Sequence, residues 1–353
     1  MFADLDLRHM AQVVEFARYP GDLVTAAAAV APCPWMYTGG LENHPQIVGA
    51  IARSRSLWGN GPEVLDRIRD PWYIADLFKT ARLPCLPTWP READPPDPDG
   101  RWMLKPLSGA GGRGISRWES GASVSRTLAE PHYFQEHVTG APISAVCLAT
   151  ATETEVVGLT RQLVGLPEVN APPFAWCGTI TPVDLPDSLV LVIKLIAEAL
   201  ARGTGLRGLF GCDFLVDQNG VWLTEVNPRY PASTELVEAS LGISLIDRHR
   251  RACDHSVGAS PASPATPPLP SVAGKIVIYA ERDFTAADLS RFLLPPESMI
   301  GDRLPFAADL PVPGTRILRG QPVCTLFARA ETSDDCQKKL LRRARRIKQR
   351  LWN

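Results

Sequence analysis

The sequence has no apolar run near the ~18 residues that a membrane span requires. The longest candidate, residues 23–31, is mostly alanine and too short. No basic segment followed by an apolar one stands at its start, so no secretory leader and a cytoplasmic location are expected. Neither sign of charge is in excess: 37 Lys and Arg against 38 Asp and Glu give a formal net charge of −1. That balance argues against a chain that binds nucleic acid as a whole. The eight cysteines, at 33, 85, 147, 177, 212, 253, 324 and 336, form no Cys-x-x-Cys pair and no Cys/His cluster at zinc spacing. Reduced, mostly buried thiols are expected. An ordinary globular mix of 45% hydrophobic and 21% charged residues argues against wholesale disorder. Proline is over-represented, at 33 of 353 residues or about 9%, against a usual ~5%. That excess favours several units with stiff connections, and at about 150 residues per domain the length suggests two or three.

Three stretches read as connectors: residues 90–100 and 302–314, and the low-complexity residues 256–271. Up to about residue 88 short apolar runs alternate with helical patterns, a strand at 35–38 and helices at 45–54 and 73–81, which suggests a small α/β unit. Such a domain usually opens on a buried strand and a glycine turn, and neither is present here. Strands are predicted at 102–106, 133–138, 144–150 and 155–159. A helix over 188–202 carries Leu189, Val192, Ile193, Ile196, Ala199 and Leu200 on one stripe. A hairpin follows, then a helix at 234–239 and strands at 275–279 and 323–328. The chain closes on a basic helix at 337–351, whose Leu340, Ala344, Ile347 and Leu351 make an apolar stripe.

Chemistry enters first at residues 102–115, WMLKPLSGAGGRGI. Gly109, Gly111 and Gly114 match G-x-G-x-x-G, but no amphipathic helix opens at the last glycine, as the dinucleotide motif needs. Nor does Gly-Lys-Ser/Thr close the loop. What remains is Lys105 at the end of a strand, followed by a glycine loop whose backbone N–H groups can close on phosphate oxygens. A flexible hairpin tip fits this segment equally well.

Residues 211–229, GCDFLVDQNGVWLTEVNPR, read as a β-hairpin turning near Asn219-Gly220. A two-residue Asn-Gly loop would place Asp213 and Glu225 on opposite faces. A three-residue loop, residues 218–220, pairs Asp217 with Val221 and sets Asp213 directly opposite Glu225, with Asn227 on the same face. Facing carboxylates repel. A divalent cation removes the penalty, and Mg²⁺ takes hard oxygen ligands such as one or two carboxylates plus substrate phosphates. A solvated acidic edge is the bland alternative.

With these pieces in order the sequence resembles the ATP-grasp superfamily, from about residue 70 to 245. Its Arg-Gly-Ile and Glu-Val-Asn-Pro-Arg segments are similar to the biotin-carboxylase-like, predicted ATP-dependent carboligase branch. The resemblance implies an α/β (α+β) ATP-grasp fold. It would comprise a truncated Rossmann-like N-terminal domain (1–88), a small lid (100–140) and a metal- and ATP-binding part (141–255). The linker (256–271) and a β-rich C-terminal segment with its basic helix (272–353) would follow. Lys105, Ser108, Gly109, Gly111, Gly112 and Gly114 would hold phosphates, and Gln135, Glu136, His137 and Val138 would form the hinge that reads adenine. Asp213, Glu225 and Asn227 would ligate Mg²⁺ (or Mn²⁺), and Arg229 would steady the reacting phosphate.

The implied activity is an ATP- and Mg²⁺-dependent ligase that converts a carboxylate to an acyl phosphate and joins it to an amine, a reaction placed in coenzyme biosynthesis for some relatives. The expected partners are a small carboxylate and an amine; a homodimer is the assembly considered. No Met-Lys biotin-attachment site is present. One departure stands out: the family's earlier Asp-Lys is here Asp70-Pro71. Arg69 or Arg67 is left to supply that charge, and the loss favours an alternative reading, a nucleotide-binding, non-catalytic regulatory or scaffolding protein. Outside these motifs, Arg161 is placed either to reach a substrate carboxylate or as an exposed loop arginine. Glu235 is read as a partner of Arg229 or as a first-turn acid favoured by the helix dipole. His132, His137 and His249 are read as surface or packing residues. The C-terminal helix is read as docked, with a solvated basic face; contact with an acidic substrate, nucleic acid or anionic membrane is the sharper alternative.

Overall fold

The computed structural model describes residues 4–120, 131–254, 272–290 and 304–352; the connector at 256–271 lies outside them, as do residues 302–303 of the third connector. The N-terminal segment is helical: α1 (Leu5–Met10), α2 (Leu23–Ala28), α3 (Pro45–Ala52), α4 (Pro62–Arg69) and α5 (Pro71–Ala81). Each of the last three starts on proline, whose missing N–H is unneeded in a first turn and whose fixed φ suits it. The expected strand at 35–38 is reduced to one parallel bridge, Trp35 with Leu57. Among the described residues, that bridge is the only strand pairing within this segment. Asp70 caps α5 by accepting the N–H groups of Trp72 and Tyr73 at 2.9 and 3.2 Å. Pro71 is the first residue of that helix.

A three-stranded antiparallel sheet follows, with β1 (Asp99–Pro106) between β2 (Ser116–Glu119) and β3 (His132–Glu136). Trp102, Leu104, Trp118 and Phe134 form its own small core. The rest of the chain builds one eight-stranded sheet from β4 (Ala141–Ala149), β5 (Thr154–Val164), β6 (Trp176–Thr181), β7 (Gly208–Asp217), β8 (Gly220–Asn227), β9 (Val272–Tyr279), β11 (Ala307–Ala308) and β13 (Pro322–Ala330). Its order is β11-β13-β9-β6-β5-β4-β7-β8. The short β10 (Phe284–Thr285) and β12 (Arg316–Ile317) pair separately. Strands from beyond residue 271 thus join the same sheet through β6–β9 pairing.

Four helices complete the described chain: α6 (Asp187–Thr204), α7 (Thr234–Leu241), α8 (Leu245–Cys253) and α9 (Ser333–Trp352). Period-3.6 stripes dock α6 and α9 on one face of the sheet. Ile193, Ile196 and Leu200 of α6 pack against Ala145, Cys147 and Phe210, and Leu340, Ala344 and Ile347 of α9 against Ile276 and Ile180. The docked reading of the C-terminal helix holds. Several of its cations also meet backbone carbonyls: Lys339 that of Arg329 at 3.0 Å and Lys348 that of Glu168 at 3.0 Å. The opposite face, with Ser144, Gln162 and Asp213, looks toward the three-stranded sheet. All eight cysteines are free. Among the described residues no helix is long and apolar enough to cross a membrane.

Candidate active site

The hairpin turns in two residues, not three: Asp217 pairs with Gly220 and Val216 with Val221. Regular pairing from that turn would set Asp213 against Thr224. A β-bulge at Thr224 takes up one residue, so that Phe214 pairs with Leu223 and Asp213 with Glu225. The expected opposition is present, but a bulge produces it rather than the loop. Asp217 holds the turn by accepting the N–H groups of Asn219 and Gly220.

Burial pushes the Asp213 carboxyl up to about 6, and the facing Glu225 charge adds to the shift. A hydrogen bond from Ser144 Oγ (2.7 Å), the Arg229 charge and a hydrogen bond from Asn227 Nδ2 (3.0 Å) oppose it, and Gln162 Nε2 also donates to this carboxylate at 2.9 Å. Asn227 also accepts from Arg229 Nη2 at 2.9 Å. Its amide therefore links Asp213 to Arg229, and the donor on Arg229 fixes which end carries oxygen. Only the remaining lone pair of Oδ1 is left for the expected metal contact.

Arg229 is anchored from the N-terminal segment, a contact that sequence reading missed. Its Nε donates to Glu42 Oε1 at 3.0 Å, with Glu42 2% exposed. A Cβ on Gly39 would lie 3.2 Å from Arg229 Nη2, a tight contact that glycine relieves. The expected partner Glu235 is turned elsewhere, paired with the buried Lys275 of β9. A glutamate beside Gly39-Gly40 was the available signal, but 187 residues separate it from Arg229 and nothing local connects them.

Lys105, near the end of β1, donates to Gln135 Oε1 at 3.0 Å and to the Thr224 carbonyl at 2.7 Å. It thus bridges the small sheet to the bulge. The glycine loop is held down over the site. Asn43 Nδ2 donates to the Gly109 carbonyl at 3.2 Å, and Arg69 Nη2 to those of Leu107 and Gly109 at 3.0 and 3.1 Å. Gly112 has φ +79°, and a Cβ there would meet the Phe174 carbonyl oxygen at 2.1 Å. Arg69 Nη1 lies 3.8 Å from Glu225 Oε1; of the two arginines considered for the missing lysine's charge, this one reaches the site. Arg67 bonds instead to the Thr204 carbonyl.

A cleft of about 490 Å³ joins these groups, running from the hinge residues Gln135, Glu136, His137 and Val138 past Lys105 to Asp213, Glu225, Asn227 and Arg229. The N–H groups of Glu136 and His137 donate to the carbonyls of Pro87 and Arg101, which sets the hinge direction. Gly111 and Gly112 line the cleft. Gly109 instead lines a smaller cavity of about 100 Å³ that shares Lys105 and Glu225. Ser108 is exposed, and it and Gly114 line neither cavity. Arg161 corrects the sequence expectation. Strand alternation sends its neighbour Gln162 into the cleft, so Arg161 lies on the opposite face, where its charge acts on Cys336 of α9. Among the cleft's polar groups, Ser144 reads in the sequence only as the start of a strand. His249 is a packing residue: Nδ1 accepts the Leu209 N–H at 2.8 Å and Nε2 lies 3.1 Å from the Trp58 carbonyl.

Among the described residues no three His, Cys, Asp or Glu side chains gather as a metal-ion cluster. Two facing carboxylates, one with its ionisation opposed by the other, still fit a hard divalent ion that completes its shell with phosphate oxygens and water.

Comparison with known proteins agrees with this geometry. Residues 68–233 match the family described as the ATP-grasp domain. An uncharacterised protein of Methanocaldococcus jannaschii is 27% identical over 149 residues, covering 40% of this chain and 34% of that one. The chain thus spans about a third of that relative's length. The biotin carboxylase domain of Hydrogenobacter thermophilus 2-oxoglutarate carboxylase, solved with MgADP and bicarbonate, has a TM-score of 0.66 at 14% identity, covering 91% of this chain and 75% of that one. The L-amino acid ligase of Bacillus licheniformis has a TM-score of 0.61 at 15% identity, covering 85% and 76%. These likenesses are of fold, and the segment that matches the ATP-grasp domain is just under half of the chain.

Proposed function

We propose that the chain is an ADP-forming carboxylate–amine ligase that uses ATP and Mg²⁺. One observation carries the reading: a single cleft runs from the hinge residues past Lys105 to an acid pair and a largely buried arginine. Asp213 and Glu225 are the residues that would hold Mg²⁺, or Mn²⁺, which would neutralise phosphate charge there.

In the first step a substrate carboxylate oxygen attacks the γ-phosphorus. The bond to the β–γ bridging oxygen breaks, and ADP leaves with that electron pair. In the second the amine nitrogen attacks the acyl carbon, the carbon–oxygen bond to phosphate breaks, and the amide forms as the nitrogen loses its proton. Phosphoryl transfer needs positioning and charge more than covalent help from the protein. Lys105 supplies a fixed cation beside the phosphates. Arg229, with its orientation set by Glu42 and Asn227, supplies the second at the reacting group. The glycine loop, tied by Arg69 and Asn43, excludes the water that would hydrolyse the intermediate.

The test is release of ADP and phosphate from ATP and Mg²⁺ with carboxylate–amine pairs, with hydroxylamine trapping the acyl phosphate as a hydroxamate. AMP with pyrophosphate as sole products would place the chain in another mechanistic class. Wild-type turnover in Glu225→Gln would remove the metal assignment.

A further inference from the structure

Helix α9 carries eight Lys and Arg side chains, and the fold sorts them. Those flanking the sheet are used in docking. Lys339 and Lys348 reach backbone carbonyls, and Arg343 donates to the Phe327 carbonyl while lying over the Phe306 ring. Others stand on the far side. At 3.6 residues per turn, Lys338, Arg342, Arg345 and Arg346 fall within an arc of about 100°. That arc is opposite Cys336, Leu340, Ala344 and Ile347, which are 0–3% exposed. All four cations are exposed. Lys338 meets Asp335 at 3.5 Å. Arg342, Arg345 and Arg346 make no hydrogen bond or ion pair among the described residues.

This spacing is unfavourable for the helix alone. Arg342 stands four residues from both Lys338 and Arg346 and three from Arg345, where like charges destabilise. A helix face that only kept the chain soluble would interleave acids with these cations, but no Asp or Glu follows Asp335. The helix dipole favours cations in the last turn, which accounts for Arg350 and not for residues 338–346. Burial pulls the Arg343 guanidinium below its ordinary value, and the Arg342 charge pulls the same way. An anion along the stripe relieves this repulsion.

The ligand of the cleft is not that anion. A Cβ on Gly274 of β9 would lie 2.9 Å from Cys336 of α9, whereas the adjacent Lys275 reaches the carbonyl of Ala232, which lines the cleft. The stripe therefore lies across the sheet from the nucleotide. Insertion into a membrane surface needs an apolar helix face turned to lipid, and that of α9 is covered by the sheet. Single strands are held largely by stacking on aromatic rings, and the stripe has none. An acidic peptide would first have to be ordered along it. A duplex is already rigid. From Lys338 to Arg346 the stripe runs about 12 Å at 1.5 Å per residue, over which a duplex presents roughly seven charges at one per ~1.7 Å. The guanidinium fork meets phosphate through two parallel hydrogen bonds.

We propose that the outer face of α9 is a docking surface for the phosphate backbone of double-helical nucleic acid, contacted by Lys338, Arg342, Arg345 and Arg346 without reading of bases. The inference stands apart from the ligase reading. A formal net charge of −1 gives the chain no long-range attraction to nucleic acid, so the contact is local and strongly dependent on salt.

Fluorescence anisotropy of the full chain with labelled 20-base-pair DNA and RNA duplexes tests it. For three to four phosphate contacts, affinity should fall about 40- to 150-fold between 50 and 200 mM KCl. The triple variant Arg342→Gln, Arg345→Gln, Arg346→Gln should bind at least tenfold more weakly at 50 mM and lose most of the salt dependence, with ATP binding unchanged. The matching Arg→Lys triple variant should keep the salt dependence, because the attraction is mainly one of charge. No duplex binding at 50 mM, or equal affinity in the glutamine variant, would overturn the assignment. Tighter binding of poly-dT, of phosphatidylserine-rich vesicles or of polyglutamate at equal anion concentration would also overturn it, giving the face to a single strand, a membrane or an acidic protein.

Discussion

Lys105 Nζ lies 2.7 Å from the carbonyl oxygen of Thr224, the residue that bulges out of β8 between Leu223 and Glu225. One irregularity therefore does two things: it brings Glu225 opposite Asp213 and gives the lysine a fixed acceptor. Lys105→Met keeps the length of the side chain and removes its charge. ATP affinity should fall at least tenfold and kcat by about 10²-fold, in the range seen when one transition-state donor is lost. Nucleotide titration together with single-turnover rates separates the two effects.

The Asp213 carboxyl has a pKa near 6, above its ordinary 3.8. Between those values the folded chain keeps a proton that the unfolded chain has lost, so unfolding free energy falls as pH rises through this window. Asp213→Asn removes the effect. In chelator, the variant should gain stability relative to wild type from pH 4 to pH 6 and hold that gain above. With MgATP at pH 7.5 the order should reverse, because only the ionised carboxylate favours the cation. Thermal melts across pH 4–8, with and without MgATP, check both halves.

Glu42 and Arg229 form a buried pair, at 3% and 14% side-chain exposure. Removing one member of such a pair commonly costs about 3–5 kcal/mol, because the other charge stays buried without its partner. Glu42→Ala should therefore lower stability by several kcal/mol. Glu42→Gln retains an acceptor for Arg229 Nε and should cost less in stability, while loosening the arginine that steadies the reacting group. Its signature would be a lower kcat at nearly unchanged ATP affinity, read from urea unfolding and steady-state kinetics on the same preparations.

Much of this was legible because it is local. Alternation along residues 211–229 marks the hairpin, Gly109, Gly111 and Gly114 mark a glycine loop, and the 3.6-residue stripe of the last helix marks its docked face. The acid pair was legible for a different reason than the right one. A three-residue turn and a two-residue turn with a bulge both bring Asp213 opposite Glu225, and pattern alone does not separate them. Glu42, Gln162 and Lys275 stayed hidden because their partners are distant in sequence. Arg161 was misread by one residue: period two in a strand sends neighbours to opposite faces, and Gln162 holds the position toward the cleft. Pro71 became intelligible only with Asp70 in view as the cap of α5, which returns the burden of positive charge to Arg69.

Arg69 and Gly112 hold the glycine loop closed from opposite sides, and their variants should fail differently. Arg69→Lys keeps a cation near Glu225 but cannot reach both the Leu107 and Gly109 carbonyls with a planar fork. The loop should loosen, with faster proteolysis at residues 107–114 and an ATP KM raised about tenfold, and stability should hold because the contacts lie on a part-buried surface. Gly112→Ala meets the Phe174 carbonyl, which is backbone and cannot step aside. That variant should keep the closed loop from forming at all. Proteolysis should then be fast even at saturating ATP, whereas in Arg69→Lys saturating ATP restores protection. Equal protection of both variants by nucleotide would show that the loop does not close over the phosphates.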